Sequence, residues 1–135
     1  MAITPLTRRK ETYSDFYKDL TLSPINADLA RKTDEESIKE AIRNIVLTDR
    51  GERLFQPELG CDIRKILFEN IGPETIVTAR EMIKSAISAY EPRCALLGVD
   101  VYGAKDDNVI NITITFHIIN KQEPITLNLT VDRVR

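Results

Sequence analysis

The side chains able to act on a substrate are few. His117 is the single histidine, so any Ser-His or Cys-His nucleophile pair would have to use it. Cys61 and Cys94 match no zinc or redox spacing and are too few for a disulfide framework. They read as small buried hydrophobes. The carboxylates near expected turns are Asp49, Glu52, Glu58, Asp62, Glu69 and Glu91. The chemistry open to them is glycoside hydrolysis, which needs two carboxylates across a sugar cleft, one with a raised pKa. No spacing singles out a pair, and the chain has no tryptophan to form a sugar platform. Gly51 and Gly60 do not make a phosphate loop, because neither GxGxxG nor GxxxxGK[ST] is present. No catalytic, cofactor-binding or metal-ligating residue is therefore assigned, and no cofactor is expected.

A different kind of chemistry, recognition of charge, is possible at Tyr90-Glu91-Pro92-Arg93. Glu91 falls at the negative end of an expected helix, where a carboxylate is disfavoured and needs a compensating cation. Arg93 is near, but Pro92 is expected to hold the chain extended so that the two side chains point apart. A fixed acid and base on a rigid turn would suit bidentate recognition of opposite charges. The plainer reading is a surface helix stop with incidental charges.

The elements that must position these residues are legible in the periodicity. Thr33 and Glu36 form a capping box, followed by Ile38, Ala41, Ile42, Ile45 and Val46 on one helical face. Gly51 is the expected left-handed stop. Burying each large side chain of that face is worth about 1.5–3 kcal/mol, so it must find a partner surface. Residues 52–60 read as a turn-rich connection limited to a short extended piece. Asp62 is expected to cap a short helix carrying Ile63, Ile66, Leu67 and Phe68, broken by Gly72-Pro73. Pro73 suits the first turn of the next helix. Its buried stripe is Ile76, Ala79, Ile83, Ala86, Ile87 and Tyr90, and Pro92 ends it.

From there the period becomes two. Ala95–Tyr102 alternates through Leu97, Val99 and Val101. Val109–Ile119 alternates Ile110, Ile112, Ile114, Phe116 and Ile118 against Asn111, Thr113, Thr115 and His117. Ile125–Val131 sets Ile125, Leu127, Leu129 and Val131 against Thr126, Asn128 and Thr130. The links 103–108 and 120–124 are short, so an antiparallel meander is expected. One apolar face needs cover, which the two main helices supply. The expected fold is α+β, a meander of three or more strands covered on one face by two helices. Residues 33–135 form this domain. Residues 1–32 form an N-terminal arm, in which Tyr13, Phe16 and Tyr17 fit one face of a helical turn. The arm either packs locally or orders against a neighbour.

The bulk numbers exclude several classes. With 19 basic and 21 acidic side chains the net charge is −2, which argues against nucleic-acid binding. Arg8-Arg9-Lys10 is the one basic cluster, read as solvated. No apolar run reaches the roughly 20 residues that span a bilayer, and Met1–Pro5 lacks the core of a signal peptide. A reducing cytoplasm and no membrane partner are expected. At 135 residues, 42% hydrophobic, the chain can bury a modest core without metal or disulfide.

Thr48-Asp49-Arg50-Gly51-Glu52-Arg53, Pro57-Glu58-Leu59-Gly60-Cys61-Asp62, Leu67-Phe68-Glu69-Asn70 and Tyr90-Glu91-Pro92-Arg93 occur in series before the strands. Together they resemble the baseplate-wedge sheath-initiator proteins of contractile-tailed phages, a family that includes a baseplate subunit of type VI secretion systems. The resemblance covers roughly residues 33–133. It implies a structural subunit of the virion tail baseplate, assembled in the host cytoplasm. It also implies that Glu91, Pro92 and Arg93 contact the helical core bundle of other baseplate wedge proteins. The sheet would be a template for arms of the tail sheath protein, with tube or tube-initiator proteins as further partners. Some members have been labelled lysozymes, and a peptidoglycan-degrading tail enzyme is the alternative. One physical argument supports the template independently. The strand bearing Ile125, Leu127, Leu129 and Val131 ends the meander, and its outward residues are uncharged. The competing reading has the N-terminal arm covering that edge.

Overall fold

A computed structural model describes residues 13–69, 71–103 and 109–132. Arg8-Arg9-Lys10, Asn70 and most of the 103–108 link lie outside the described residues. The chain divides into two compact units between Ser37 and Ile38.

In the first unit, β1 (Ser14–Phe16) pairs antiparallel with β2 (Arg31–Thr33). Tyr13, Phe16 and Tyr17 are therefore in or beside a strand, not on a helical turn. The ladder to residues 31–33 satisfies the backbone bonds that an isolated turn would leave to water. The Lys32 ammonium lies 4.8 Å from the centre of the Tyr17 ring. The Asp34 carboxylate accepts the Tyr13 amide at 3.0 Å, and Ser37 donates its hydroxyl to Asp15.

Helix α1 (Asp34–Leu47) follows directly on β2, but the expected Thr33–Glu36 capping box does not form among the described residues: Thr33 is the last residue of the ladder, and Asp34 turns the chain into the helix at φ 45°. Its stripe Ile38, Ile42, Ile45 and Val46 is buried. The helix ends at Leu47, before Gly51. The chain then runs into a closed loop, and Gly51 serves its left-handed turn with φ 85°. No strand forms over residues 52–60, because the loop's own cross-links leave no partner ladder.

Helix α2 (Ile63–Ile66) buries Ile63 and Ile66, with Leu67 also buried and Phe68 exposed. Helix α3 (Pro73–Tyr90) begins with proline in its first turn. It buries Ala79, Ile83, Ala86 and Ile87, whereas Tyr90 at its end is partly exposed. It packs on α2 and on the first strand of the sheet.

Strands β3 (Cys94–Gly103), β4 (Val109–Ile118) and β5 (Pro124–Asp132) form an antiparallel sheet in that order. This is the expected α+β meander. The apolar residues of β4 from Ile110 to Ile118, with Leu127, Leu129, Val131, Val99 and Val101, are buried. Leu97 departs from the expected alternation and is 57% exposed. A β-bulge between Leu96 and Gly98 leaves it without a cross-strand partner and shifts the phase of the strand.

Gly60 carries the tightest backbone constraint. At φ 134° a Cβ would lie 2.5 Å from the Thr48 carbonyl oxygen. Gly60→Ala is expected to cost more than about 2 kcal/mol, whereas Gly98→Ala, with nothing within 4 Å, should stay within about 1 kcal/mol. Urea denaturation of the two variants checks the contrast.

Candidate functional site

Three surfaces come from the residues singled out above. The first is the corner between α3 and β3. The Glu91 amide still donates to the Ile87 carbonyl at 2.9 Å, completing the last helical turn. The Glu91 side chain turns inward and is only 4% exposed. Arg93 grips it in a fork, Nε to Oε1 at 2.7 Å and Nη2 to Oε2 at 2.8 Å. The expectation that these side chains point apart is wrong. Pro92 and Arg93 form a turn rather than an extended segment, and the turn folds Arg93 back over Glu91, whose Oε1 also accepts the Arg93 amide at 3.3 Å. The Arg93 carbonyl also accepts the Ile119 amide at 3.2 Å, linking the corner to the end of β4. Pro92 itself is exposed.

Cys94 sits against this corner. Burial, then the Glu91 charge, push its thiol up to about 11 despite Arg93 nearby. Cys61 is fully buried, and burial pushes its thiol up to about 12. Neither is poised as a nucleophile.

The second surface is the sheet margin. β5 is an outer strand, and among the described residues no strand lies on its far side. Leu127, Leu129 and Val131 point into the core and Ile125 is half-buried, while Thr126, Asn128 and Thr130 are exposed. These four apolar residues thus anchor the strand, and the margin itself exposes backbone. β5 pairs with β4 in unbroken register from Pro124 to Asp132. The other outer strand, β3, carries the bulge. Beside the end of β5 an open groove of about 470 Å³ is lined by Leu47, Arg64, Leu67, Phe68 and Val131 among others.

The third surface is the loop after α1. Its base is closed by the Cys61 amide donating to the Thr48 carbonyl at 3.0 Å, and by Gly51 donating to Pro57 at 2.8 Å. Asp62 occupies the residue before α2 in a left-handed conformation but does not cap it. Its carboxylate instead accepts the Arg50 amide at 2.9 Å and meets Lys65 at 3.0 Å. Partial burial would raise this carboxyl, but the Lys65 and Arg50 hydrogen bonds and their charges outweigh it and hold it below its ordinary value. At the tip, Leu54 and Phe55 are 92% and 98% exposed. Sequence reasoning passed over these two, since two apolar residues in a turn-rich stretch break no periodic pattern. Their missing cover is visible only in the fold.

Residues 32–123 match the profile of the family described as baseplate wedge protein gp25. The chain belongs to this family. Baseplate wedge protein gp25 of Enterobacteria phage T4 is 37% identical over 113 residues, covering 84% of this chain and 85% of the relative. A crystal structure provisionally assigned to a tail lysozyme of Geobacter sulfurreducens superposes with a TM-score of 0.67 at 29% identity, covering 75% of this chain and 92% of that one. A chain of the anti-feeding prophage baseplate shares the fold, with a TM-score of 0.69 at 22% identity over 82% of this chain and 89% of that one. The protein is a baseplate wedge subunit of a contractile tail.

Two of the six carboxylates near turns are committed to other contacts. Glu91 is consumed by Arg93, and Asp62 is displaced downward, opposite to what a general acid needs. His117 lies on the outer face of the sheet, half-buried, opposite Ala95 and Pro124. Among the described residues, no cluster of three His, Cys, Asp or Glu could hold a metal, and no helix is long and apolar enough to cross a membrane.

Arg93→Ala is expected to destabilise the isolated domain by about 2–4 kcal/mol, because it strands a buried carboxylate. Glu91→Gln combined with Arg93→Gln should recover more than half of that loss in chemical denaturation. A carboxyl held below its ordinary value stabilises the fold above that value, and the benefit fades as pH falls through it. The stability deficit of Asp62→Asn should therefore be largest at neutral pH and shrink below about pH 4, as read from melts across pH.

Proposed function

We propose that the protein is a structural, not a catalytic, subunit that docks on the helical core bundle of the baseplate wedge and starts the sheath by adding sheath arms to β5. The observation that carries this reading is the character of the β5 margin. It is long, unbulged and uncharged between Pro124 and Asp132, the opposite of how proteins usually protect an outer strand. An added strand would gain backbone hydrogen bonds with little demand on its sequence, as suits one template serving a repeating sheath. The groove at the end of β5 would receive one apolar side chain of the arm, giving register. The bulge on β3 argues against that strand as the template.

Docking on the wedge is assigned to the Glu91-Pro92-Arg93 corner. Because the two charges satisfy each other, the partner would meet exposed Pro92 and the accessible flank of the Arg93 guanidinium. A rigid corner of this kind loses little entropy on binding. Other wedge proteins, the sheath protein and tube or tube-initiator proteins are the partners this role requires. The place of action is the tail baseplate of the virion.

Amide exchange separates this from a bare outer strand. Amides of β5 that face away from β4 should exchange readily in the free protein and be protected at least about tenfold in assembled tails. Equal exchange in both states would rule out strand addition at β5. Thr126→Lys with Asn128→Lys, which charges the margin, should leave the fold intact and yield baseplates without sheath. A cell-wall clearing assay addresses the hydrolase alternative. Lysis abolished by a single carboxylate-to-amide change would overturn the structural reading.

A further inference from the structure

The geometry points to the Leu54-Phe55 tip as a third docking element: a rigid apolar plug that inserts into a carboxylate-rimmed apolar socket on a neighbouring baseplate polypeptide. This rests on the assembly role proposed above and adds a contact to it.

Two large apolar side chains in succession stand 92% and 98% exposed. A single exposed apolar residue needs no explanation, but two held side by side at the end of a projecting loop do. The loop is not slack. Thr48 and Cys61 close its base, Gly51 and Pro57 cross-link it above, and the Arg50 amide is tied to Asp62. Gly60 is required because its backbone passes against the Thr48 carbonyl. Such a frame presents Leu54 and Phe55 already ordered, which reduces the entropy lost on docking.

The size of the tip bears on its occupant. A phenylalanine buries about 150–250 Å², whereas a free-standing specific interface needs about 800 Å² per partner. The tip is too small to hold two copies of this chain together, but suits an anchor inside a larger contact, as in an assembly with other surfaces engaged. The charges specify the rim. The Glu52 carboxylate is turned back to accept the Asp49 amide at 3.0 Å. Arg53, adjacent to the plug, is exposed and has no ion pair among the described residues. A socket bordered by carboxylates would complement it. An anionic membrane surface calls for a cluster of basic residues, whereas the tip offers the single Arg53, which suits one directed contact with a protein carboxylate.

The test uses the full chain. Leu54→Ser with Phe55→Ser should leave the melting transition of the purified protein essentially unchanged, because both side chains are already in water. When this variant replaces the normal subunit in cells, assembled sheathed tails should fall at least about tenfold, and Arg53→Glu should give a smaller loss. A photocrosslinking residue at position 55 should join the chain, in assembled tails, to an identified baseplate protein whose contact region is apolar with acidic neighbours. Normal tail numbers from the double variant would overturn the inference. So would a crosslink only to a second copy of this chain, or flotation with phosphatidylethanolamine–phosphatidylglycerol vesicles that is lost in the double variant. The lysine pair on β5 serves as the control. If it blocks sheath growth while the tip variant assembles normally, only the plug fails. If neither variant affects assembly, the underlying reading fails as well.

Discussion

A buried carboxylate needs a cation, and at the junction of helix and sheet this chain supplies one from two residues away. The fork between Glu91 and Arg93 compensates a negative charge placed at the unfavourable end of α3. It also sets the path of the chain as it leaves the helix and enters β3. The Arg93 carbonyl bonds to Ile119 beyond the far end of β4, so one residue ties the helix end to the middle strand. The packing of α3 on β3 depends on this turn. Arg93 is thus a structural residue, and its loss would be felt in the isolated domain.

The loop after α1 shows the same economy. Its charged residues are spent largely on one another: Asp49 amide to Glu52, Arg50 amide to Asp62, Lys65 to Asp62. Individually such exposed contacts contribute little. Together with Gly60 they hold a fourteen-residue excursion, roughly Thr48 to Cys61, in one conformation. The charged motif residues build the scaffold, and the apolar pair at its end is left over. The sheet divides its labour in a similar way, with apolar side chains of β5 committed to the core and its outer backbone edge without a neighbouring strand among the described residues.

Much of the architecture was legible in the residues. Period-two alternation from Val109 to Val131 gave both strands and the face each buries, because a strand allows only two orientations per residue. Pro73 and the Tyr90-Glu91-Pro92 stop marked the two ends of α3. The errors were local. Ser14 to Phe16 became a strand, with Tyr13 and Tyr17 beside it, because its partner, Arg31 to Thr33, lies far along the chain. Leu97 left the core because a bulge inserts one unpaired residue, which no alternation pattern signals. Asp62 declined its capping role because an amide twelve residues earlier competes for it.

The sequence alone determined the three strands of the meander and the buried stripes of the helices, since these follow from short-range periodicity and residue chemistry. Only the tertiary structure decided that Glu91 and Arg93 bind each other, that β3 rather than β5 bears the bulge, and that Leu54 and Phe55 lack cover. Each of those is a question of which distant groups arrive at the same place. Local spacing limits what a residue can do, but the outcome depends on the neighbours that folding brings to it.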